Sequence, residues 1–543
     1  MSARRKETPV PDRSGAARTP CVRIPADVVG DRPGRCPVHR RASVDHAVRR
    51  PGRHKPEPLC TDPLTALGAA LDLVELGGRT VEEACAHLPR PGERPRDHLG
   101  TPLAPLHEGL LTWVEHAVRT WVRSLEDLPG PARIPCAQPW LLRFPPRGGP
   151  AQARTYEVLA GGRGYTFLEG AERVRELRVP VVDALAEGPP GPADAVAAHV
   201  LAEGTPVDRP AMGAEPWRHR GGLPLPVRGE VPPPDRVRLL QVSCSDGSEG
   251  LRFEGTPAEA EHLYRARGRP ALRTVPRQGE PRVPGPDCGP CRLQRGCDAP
   301  ARVPGLLGFR DRSRPRRTWS VGTGLRHRTC PASAHLHDLG LPGQPPSQEE
   351  VVRSHLARAH ARRQACSEEP APGTDPHVAR LLTAHARDCP LHTVPASAPV
   401  HAGLRLPVQD PLADVLVLAR VDLLHLDGVS WVQRQSVLAD PVPDPDGPSL
   451  LAAHPALAMS VLLFACGVIT PGPRSRVELE ILTADGPEVH TLDPFSPGLR
   501  SRAHAVVSEL ASPWHQDTAH APTPGPACAS CLHRRWCPES PEP

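Results

Sequence analysis

Lysine is nearly missing from this 543-residue chain: Lys6 and Lys55 are the only two. Beyond residue 55 no side-chain amine is present for chemistry, and the basic charge there is carried by arginine. Apolar runs of the ~18–20 residues needed to span a bilayer are also missing, which argues against a membrane helix. Residues 1–58 are rich in Arg and Pro and lack an apolar h-region, so they do not read as a secretory signal; the expectation is a disordered tail. Without such a signal the cysteines belong to a reducing, cytoplasmic setting, where grouped thiols bind metal more often than they pair as disulfides. The net charge of +5 is mild and permits nucleic-acid binding without demanding it.

Proline (73) and glycine (47) are abundant, exceeding a fifth of the chain together, yet hydrophobic residues still reach 38%. Such a balance predicts folded domains joined by Pro-rich loops.

Two cysteine triads share one spacing, C-x2-C-x5-C: Cys288, Cys291, Cys297 and Cys528, Cys531, Cys537. Chance would give on the order of 0.01 such triads in a chain of this composition. An Asp-Gly turn precedes each triad, Asp246-Gly247 and Asp485-Gly486, and apolar strand-like runs flank both turns. The chain therefore reads as two copies of one unit, each ending in a cysteine clasp. The expected boundaries are a tail over 1–58, a first unit over 59–305, an Arg-rich linker over 306–318 and a second unit over 319–543.

Local signals predict helices over Leu64–Leu76, after the capping box at Thr80, over Leu106–Leu125, near Asp194–Ala202, after the caps at Thr256 and Ser347, and over Ala452–Val468. Strands are predicted over Thr155–Phe167, Val174–Val182, Asp414–Leu426 and Ser430–Leu438, besides those of the two Asp-Gly hairpins. This order implies an α/β fold with mixed sheets.

Over roughly residues 318–540 the chain resembles the RecB-type nucleases of the PD-(D/E)XK superfamily, and within it the iron–sulfur branch that includes the CRISPR adaptation exonucleases. The resemblance rests on Thr329-Cys330-Pro331 ahead of the unit, on Cys528, Cys531 and Cys537 behind it, and on Asp422 in Ala419-Arg-Val-Asp422. It implies two restriction-endonuclease-like α/β units and a 4Fe–4S cluster held by Cys330, Cys528, Cys531 and Cys537. A second cluster is implied at Cys288, Cys291 and Cys297, with Cys60 as the fourth ligand and Cys136 and Cys244 as alternatives. Zinc is the alternative metal for these thiolates.

The same resemblance implies a catalytic Mg²⁺ or Mn²⁺ held by carboxylates, with His355 and Asp422 in family positions and Glu176 in the first copy. The Asp/Glu-x-Lys segment of the family reads Gln433-Arg434-Gln435 here, and Tyr165 takes the position of the metal-binding Asp in the first copy. His454–Val461 replaces the family's Gln-x-x-x-Tyr helix. The expectation is a nuclease fold with eroded active sites that binds DNA or RNA through arginine, beside a helicase or nuclease partner. The alternatives are a working Mn²⁺- or Mg²⁺-dependent DNA exonuclease drawing carboxylates from Asp410, Asp414 or Asp440, and a zinc-stapled protein–protein interaction module.

Overall fold

A computed structural model describes residues 21–30, 35–45, 48, 59–90, 92–93, 103–128, 130–136, 139–147, 154–214, 222–229, 231–277, 279, 281–343, 347–362, 366, 373–438, 450–483 and 486–540. The first half opens with β1 (Cys21–Pro25) and α1 (Pro37–Val44), followed by three helices, α2 (Pro63–Glu75), α3 (Val81–Ala86) and α4 (Glu108–Glu126). Strands β2 (Ile134–Cys136), β3 (Trp140–Arg147), β4 (Arg154–Ala160), β5 (Arg163–Glu169) and β6 (Glu172–Val181) come next. Helix α5 (Pro192–Glu203), β7 (Thr205–Pro206), α6 (Arg209–Ala214), β8 (Arg236–Ser243), β9 (Glu249–Gly255), α7 (Pro257–Leu263) and α8 (Arg269–Thr274) complete it.

The second half runs β10 (Ala301–Arg302), β11 (Arg317–Trp319), α9 (Val321–Thr329), α10 (Pro331–Asp338), α11 (Gln348–Ala361) and α12 (Pro376–Arg387). A three-strand meander follows, β12 (Val400–Asp410), β13 (Val415–Asp427) and β14 (Ser430–Leu438). Helices α13 (Leu450–Ala453) and α14 (Pro455–Ala465) lead to β15 (Arg476–Leu482), β16 (Pro487–Leu492) and α15 (Pro497–Gln516).

The fold is mixed α/β, and the two halves repeat one pairing scheme. In the first, β5–β6 is antiparallel, β6–β8 parallel and β8–β9 antiparallel. In the second, β13–β14, β14–β15 and β15–β16 follow the same sequence of senses. A short leading strand adds parallel in both, β1 on β4 and β11 on β13. The parallel β6–β8 and β14–β15 steps need a crossover, and a helix supplies it: α5 in one half, α14 in the other.

One difference separates the halves. The long β12–β13 hairpin has two broken counterparts, β3–β4 and β2–β5, so the first half carries two sheets, of four and five strands. The break falls at Gly161-Gly162, where Gly162 has φ +142° and a Cβ would sit 2.8 Å from the Arg178 carbonyl oxygen. The expectation of one continuous strand over Thr155–Phe167 fails at this point.

In the second half the sheet is covered on both faces. Val477, Leu479 and Ile481 pack with α14 and α15 in the largest core, while Leu482 meets Val352, Leu356, Val378 and Leu381 of α11 and α12 on the other. Helix α14 is apolar all round because it is buried. No helix among the described residues is long and apolar enough to cross a membrane. A third core joins the halves: Trp113, Val114 and Ala117 of α4 pack with Leu336, Leu341 and Trp536.

The tail expectation also needs correction. Cys21–Pro25 pairs with Thr155–Leu159, Val22 and Ile24 are buried, and α1 follows at Pro37. Ordered structure thus begins well ahead of Cys60. Residues 1–20 and Asp485 of the second Asp-Gly turn lie outside the described residues.

Candidate metal centres

Cys330 ends α9 and is the N-cap of α10, with Pro331 in the first turn, where its missing N–H costs nothing. Cys528 lies within a short 3-10 turn, Pro526–Ser530, that Cys531 ends, and Cys537 ends another. All four line one cavity of about 290 Å³. Backbone N–H groups point at two of the sulfurs, Thr523 N at Cys330 Sγ (3.5 Å) and Gly525 N at Cys528 Sγ (3.4 Å). Burial raises the Cys537 thiol, and the nearness of Cys330, Cys531 and Cys528 raises it further. Gathered thiolates repel in this way until a cation sits among them.

The first triad has a matching arrangement. Cys288, Cys291 and Cys297 line a cavity of about 570 Å³ together with Cys36. Cys36 is the N-cap of α1 and Pro37 sits in its first turn, as Cys330 and Pro331 do for α10. The Cys36 N–H donates to Asp287 Oδ2 at 3.0 Å, fixing α1 against the triad. Burial raises the Cys288 thiol, with Cys291, Cys297 and Cys36 adding to the effect. Cys36, not Cys60, is therefore the fourth cysteine. Cys60 is exposed ahead of α2, Cys136 lies on β2 beside Thr166, and Cys244 is buried in the core shared with α4. None of these three lines the cavity.

A further cluster went unseen in the sequence. His360, Cys366, His385 and Cys389 bring one ligand atom each to within 4.8 Å of the others, and such a group can hold a metal ion. His360 Nε2 lies 3.2 Å from His385 Nε2, 3.3 Å from Cys366 Sγ and 3.6 Å from Cys389 Sγ. His385 lies in the last turn of α12 and Cys389 two residues beyond its end, while His360 lies in the last turn of α11. On its far side His385 Nδ1 meets the Glu480 carboxylate of β15 at 2.8 and 2.9 Å. Burial alone would lower His385, but hydrogen bonding to Cys389 and Glu480 outweighs it and lifts the pKa to about 9. Burial would likewise raise Glu480, and His385, Ser436 and Arg434 bring it below the usual carboxylate range instead.

The expected catalytic positions hold no pair of converging carboxylates. Glu176 is buried and enclosed by three guanidinium groups, Arg133 at 3.2 Å and Arg178 and Arg238 at 3.4 Å each. Its negative charge is committed to these ion pairs. Tyr165, directly opposite Glu176 in register, turns its hydroxyl to Glu75 of α2. Asp422 on β13 pairs with Arg420 at 2.9 Å and Arg353 of α11 at 3.6 Å. His355 is half-buried on the same helix as Arg353. Gln433 is buried and donates to Ser460 of α14.

The alternative carboxylates are spoken for as well. Asp410 accepts the N–H groups of Gly305, Leu307 and Leu412 at 2.9–3.0 Å, pinning a loop. Asp414 meets Arg295 at 2.9 Å and Arg316 at 3.7 Å. Asp440 lies outside the described residues.

No protein-family model matches this chain, and no curated protein matches it.

Proposed function

We propose that this protein is an internally duplicated iron–sulfur relative of the RecB-like PD-(D/E)XK nucleases that binds nucleic acid without cutting it. The observation that carries the reading is the pair of equivalent cysteine quartets. Cys36, Cys288, Cys291, Cys297 and Cys330, Cys528, Cys531, Cys537 each enclose a half whose strands follow one pairing scheme, and each begins with a Cys-Pro helix start.

The family resembled favours a cluster over a single ion: its iron–sulfur branch sets one cysteine ahead of the unit and a C-x2-C-x5-C triad behind it, the order found here.

Loss of catalysis follows from the ion pairs. A divalent cation needs two or more free anionic oxygens, and Glu176 and Asp422 are each neutralised by arginine. Binding is supported by Arg405, exposed on β12 opposite Arg420, whose guanidinium Asp422 holds at 2.9 Å. An exposed guanidinium is a ready phosphate contact. DNA is the preferred ligand of the family resembled, RNA the alternative, and a helicase or active nuclease would be the natural partner.

Anaerobic purification tests the reading. The expected result is a brown protein absorbing broadly near 400 nm with about eight irons per chain, four for each cluster. It should be retained on DNA at low salt and released as salt rises, with no cleavage in Mn²⁺. Colourless protein with zinc at both quartets, or robust cleavage, overturns it; iron-loaded protein that ignores DNA and RNA makes it an interaction module.

A further inference from the structure

We propose that His360, Cys366, His385 and Cys389 form a structural zinc site, separate from both cysteine quartets. The inference does not rest on the nuclease-family reading.

Geometry comes first. A tetrahedral zinc with Zn–N of about 2.0–2.1 Å and Zn–S of about 2.3 Å sets its ligands about 3.3 Å apart for N···N and about 3.6 Å for N···S. The corresponding distances here are 3.2 Å between His360 Nε2 and His385 Nε2, and 3.3 and 3.6 Å from His360 Nε2 to the two sulfurs. A cation at the centre of this group would face all four ligand atoms, which lie within 4.8 Å of one another.

Charge and surroundings agree. Two thiolates and two neutral imidazoles neutralise a divalent ion, which matters where His360, His385 and Cys389 are buried. Glu480, fully buried, holds His385 through Nδ1, which leaves Nε2 free to face the ion. A carboxylate behind a metal-bound histidine is the usual device for fixing the ring and strengthening the ligand. Ser436 donates to Glu480 at 2.6 Å and Arg434 stands 3.7 Å from it, so the supporting carboxylate is itself anchored on β14.

The role follows from the ligand count. Four protein ligands leave no open position, so the ion is structural. It ties the end of α11, the segment at Cys366 and the end of α12 together, and through Glu480 fixes them on the sheet face opposite α14 and α15.

Metal analysis of the full chain tests this. Protein stripped of loosely held metal by chelating resin should retain about one zinc per chain. Cys389→Ser should lose it while the iron content stays as in the unaltered protein. Because Cys389→Ser could unfold the domain, Glu480→Gln is the second probe. It keeps all four ligands and should weaken zinc about 10–100-fold in competition with a chromogenic chelator, with an unchanged circular dichroism spectrum. Zinc-free protein that does not take up zinc, Cys389→Ser with undiminished zinc, Glu480→Gln with unaltered affinity, or a Cys366–Cys389 disulfide in peptide maps each overturns the site. Loss of iron with zinc retained would instead count against the cluster reading alone.

Discussion

Tyr165 donates its hydroxyl to the Glu75 carboxylate across 2.6 Å, joining β5 to α2 at the position where the family resembled keeps a metal-binding aspartate. Trp121 Nε1 of α4 reaches both groups, at 3.1 Å to Glu75 and 3.2 Å to the Tyr165 oxygen. Arg163 pairs with Glu75 and with Asp72, which completes a closed network beneath two helices. A phenol and an ion pair fill the space between β5 and the two helices. Burial and the Glu75 charge drive the Tyr165 pKa up, so it stays a donor at any ordinary pH.

Tyr165→Phe should therefore cost stability and nothing catalytic. A hydrogen bond to a charged group is lost, worth about 1.5–3 kcal/mol. Urea denaturation reads this as a lower midpoint. Glu75→Ala should cost at least as much, because Tyr165, Trp121 and Arg163 all lose a partner while Arg163 keeps Asp72. Equal stability of Tyr165→Phe and the unaltered protein would remove the network from the account.

Glu176 gives a second contrast. With three arginines around a buried carboxylate, Glu176→Ala should destabilise the first half by about 3–5 kcal/mol. Asp422, at the partly exposed end of its arginine pair, should cost about 1 kcal/mol or less when changed to Ala. Thermal denaturation of the two variants separates them. A Glu176→Ala variant with undiminished stability but altered Mn²⁺ binding would restore its reading as a metal ligand.

Where interactions are local, the sequence was a sound guide. The capping boxes at Thr80, Thr256 and Ser347 all form, and β14 spans Ser430–Leu438 as its alternation and the preceding Asp-Gly turn imply. The turns at Gly170, Gly247 and Gly428 all adopt positive φ. Distant interactions were hidden. Cys21–Pro25 is five residues within an Arg- and Pro-rich stretch, and its partner strand lies more than a hundred residues away. The His360 cluster is split over the ends of two helices and a connecting segment, so its ligands converge only in space. One signal was available and unused: Cys36-Pro37 repeats Cys330-Pro331, which names Cys36 over Cys60. Of the arginines around Glu176, Arg178 stands two residues away on β6, but Arg133 and Arg238 come from separate segments that no local pattern announces.

Acid should loosen the contact between the halves. His335 stacks on His520 with ring centres 4.1 Å apart, and His107 lies 5.0 Å from His335. Burial, then the neighbouring His520 and His107, lowers His335 from 6.5 to about 2. Burial and Arg317 lower His520 to about 4. Between those values and about 6.5 the unfolded chain takes up protons that the folded chain refuses. Stability is thus full above about pH 6.5 and falls as pH drops, by up to about 1.4 kcal/mol per histidine per pH unit. The melting temperature should fall from pH 7 to pH 5, and less steeply in His335→Gln. Equal pH slopes for both proteins would show that His335 takes no part.

The fourth cysteine of the first quartet permits the sharpest comparison, because two residues of the same type make opposite predictions. Cys36 lines the cavity with Cys288, Cys291 and Cys297, whereas Cys60 is exposed ahead of α2. On the iron–sulfur reading, Cys36→Ser should therefore remove one cluster, about four irons per chain, and leave the one proposed at Cys330, Cys528, Cys531 and Cys537. The broad absorption near 400 nm should fall by about half. Metal binding is coupled to folding, so α1 and β1 should also become sensitive to protease while the second half stays protected. Cys60→Ser should match the unaltered protein in iron, absorption and proteolysis. If Cys60→Ser loses iron and Cys36→Ser keeps it, the quartet is closed from the other side of the chain, and the equivalence of Cys36 with Cys330 fails with it.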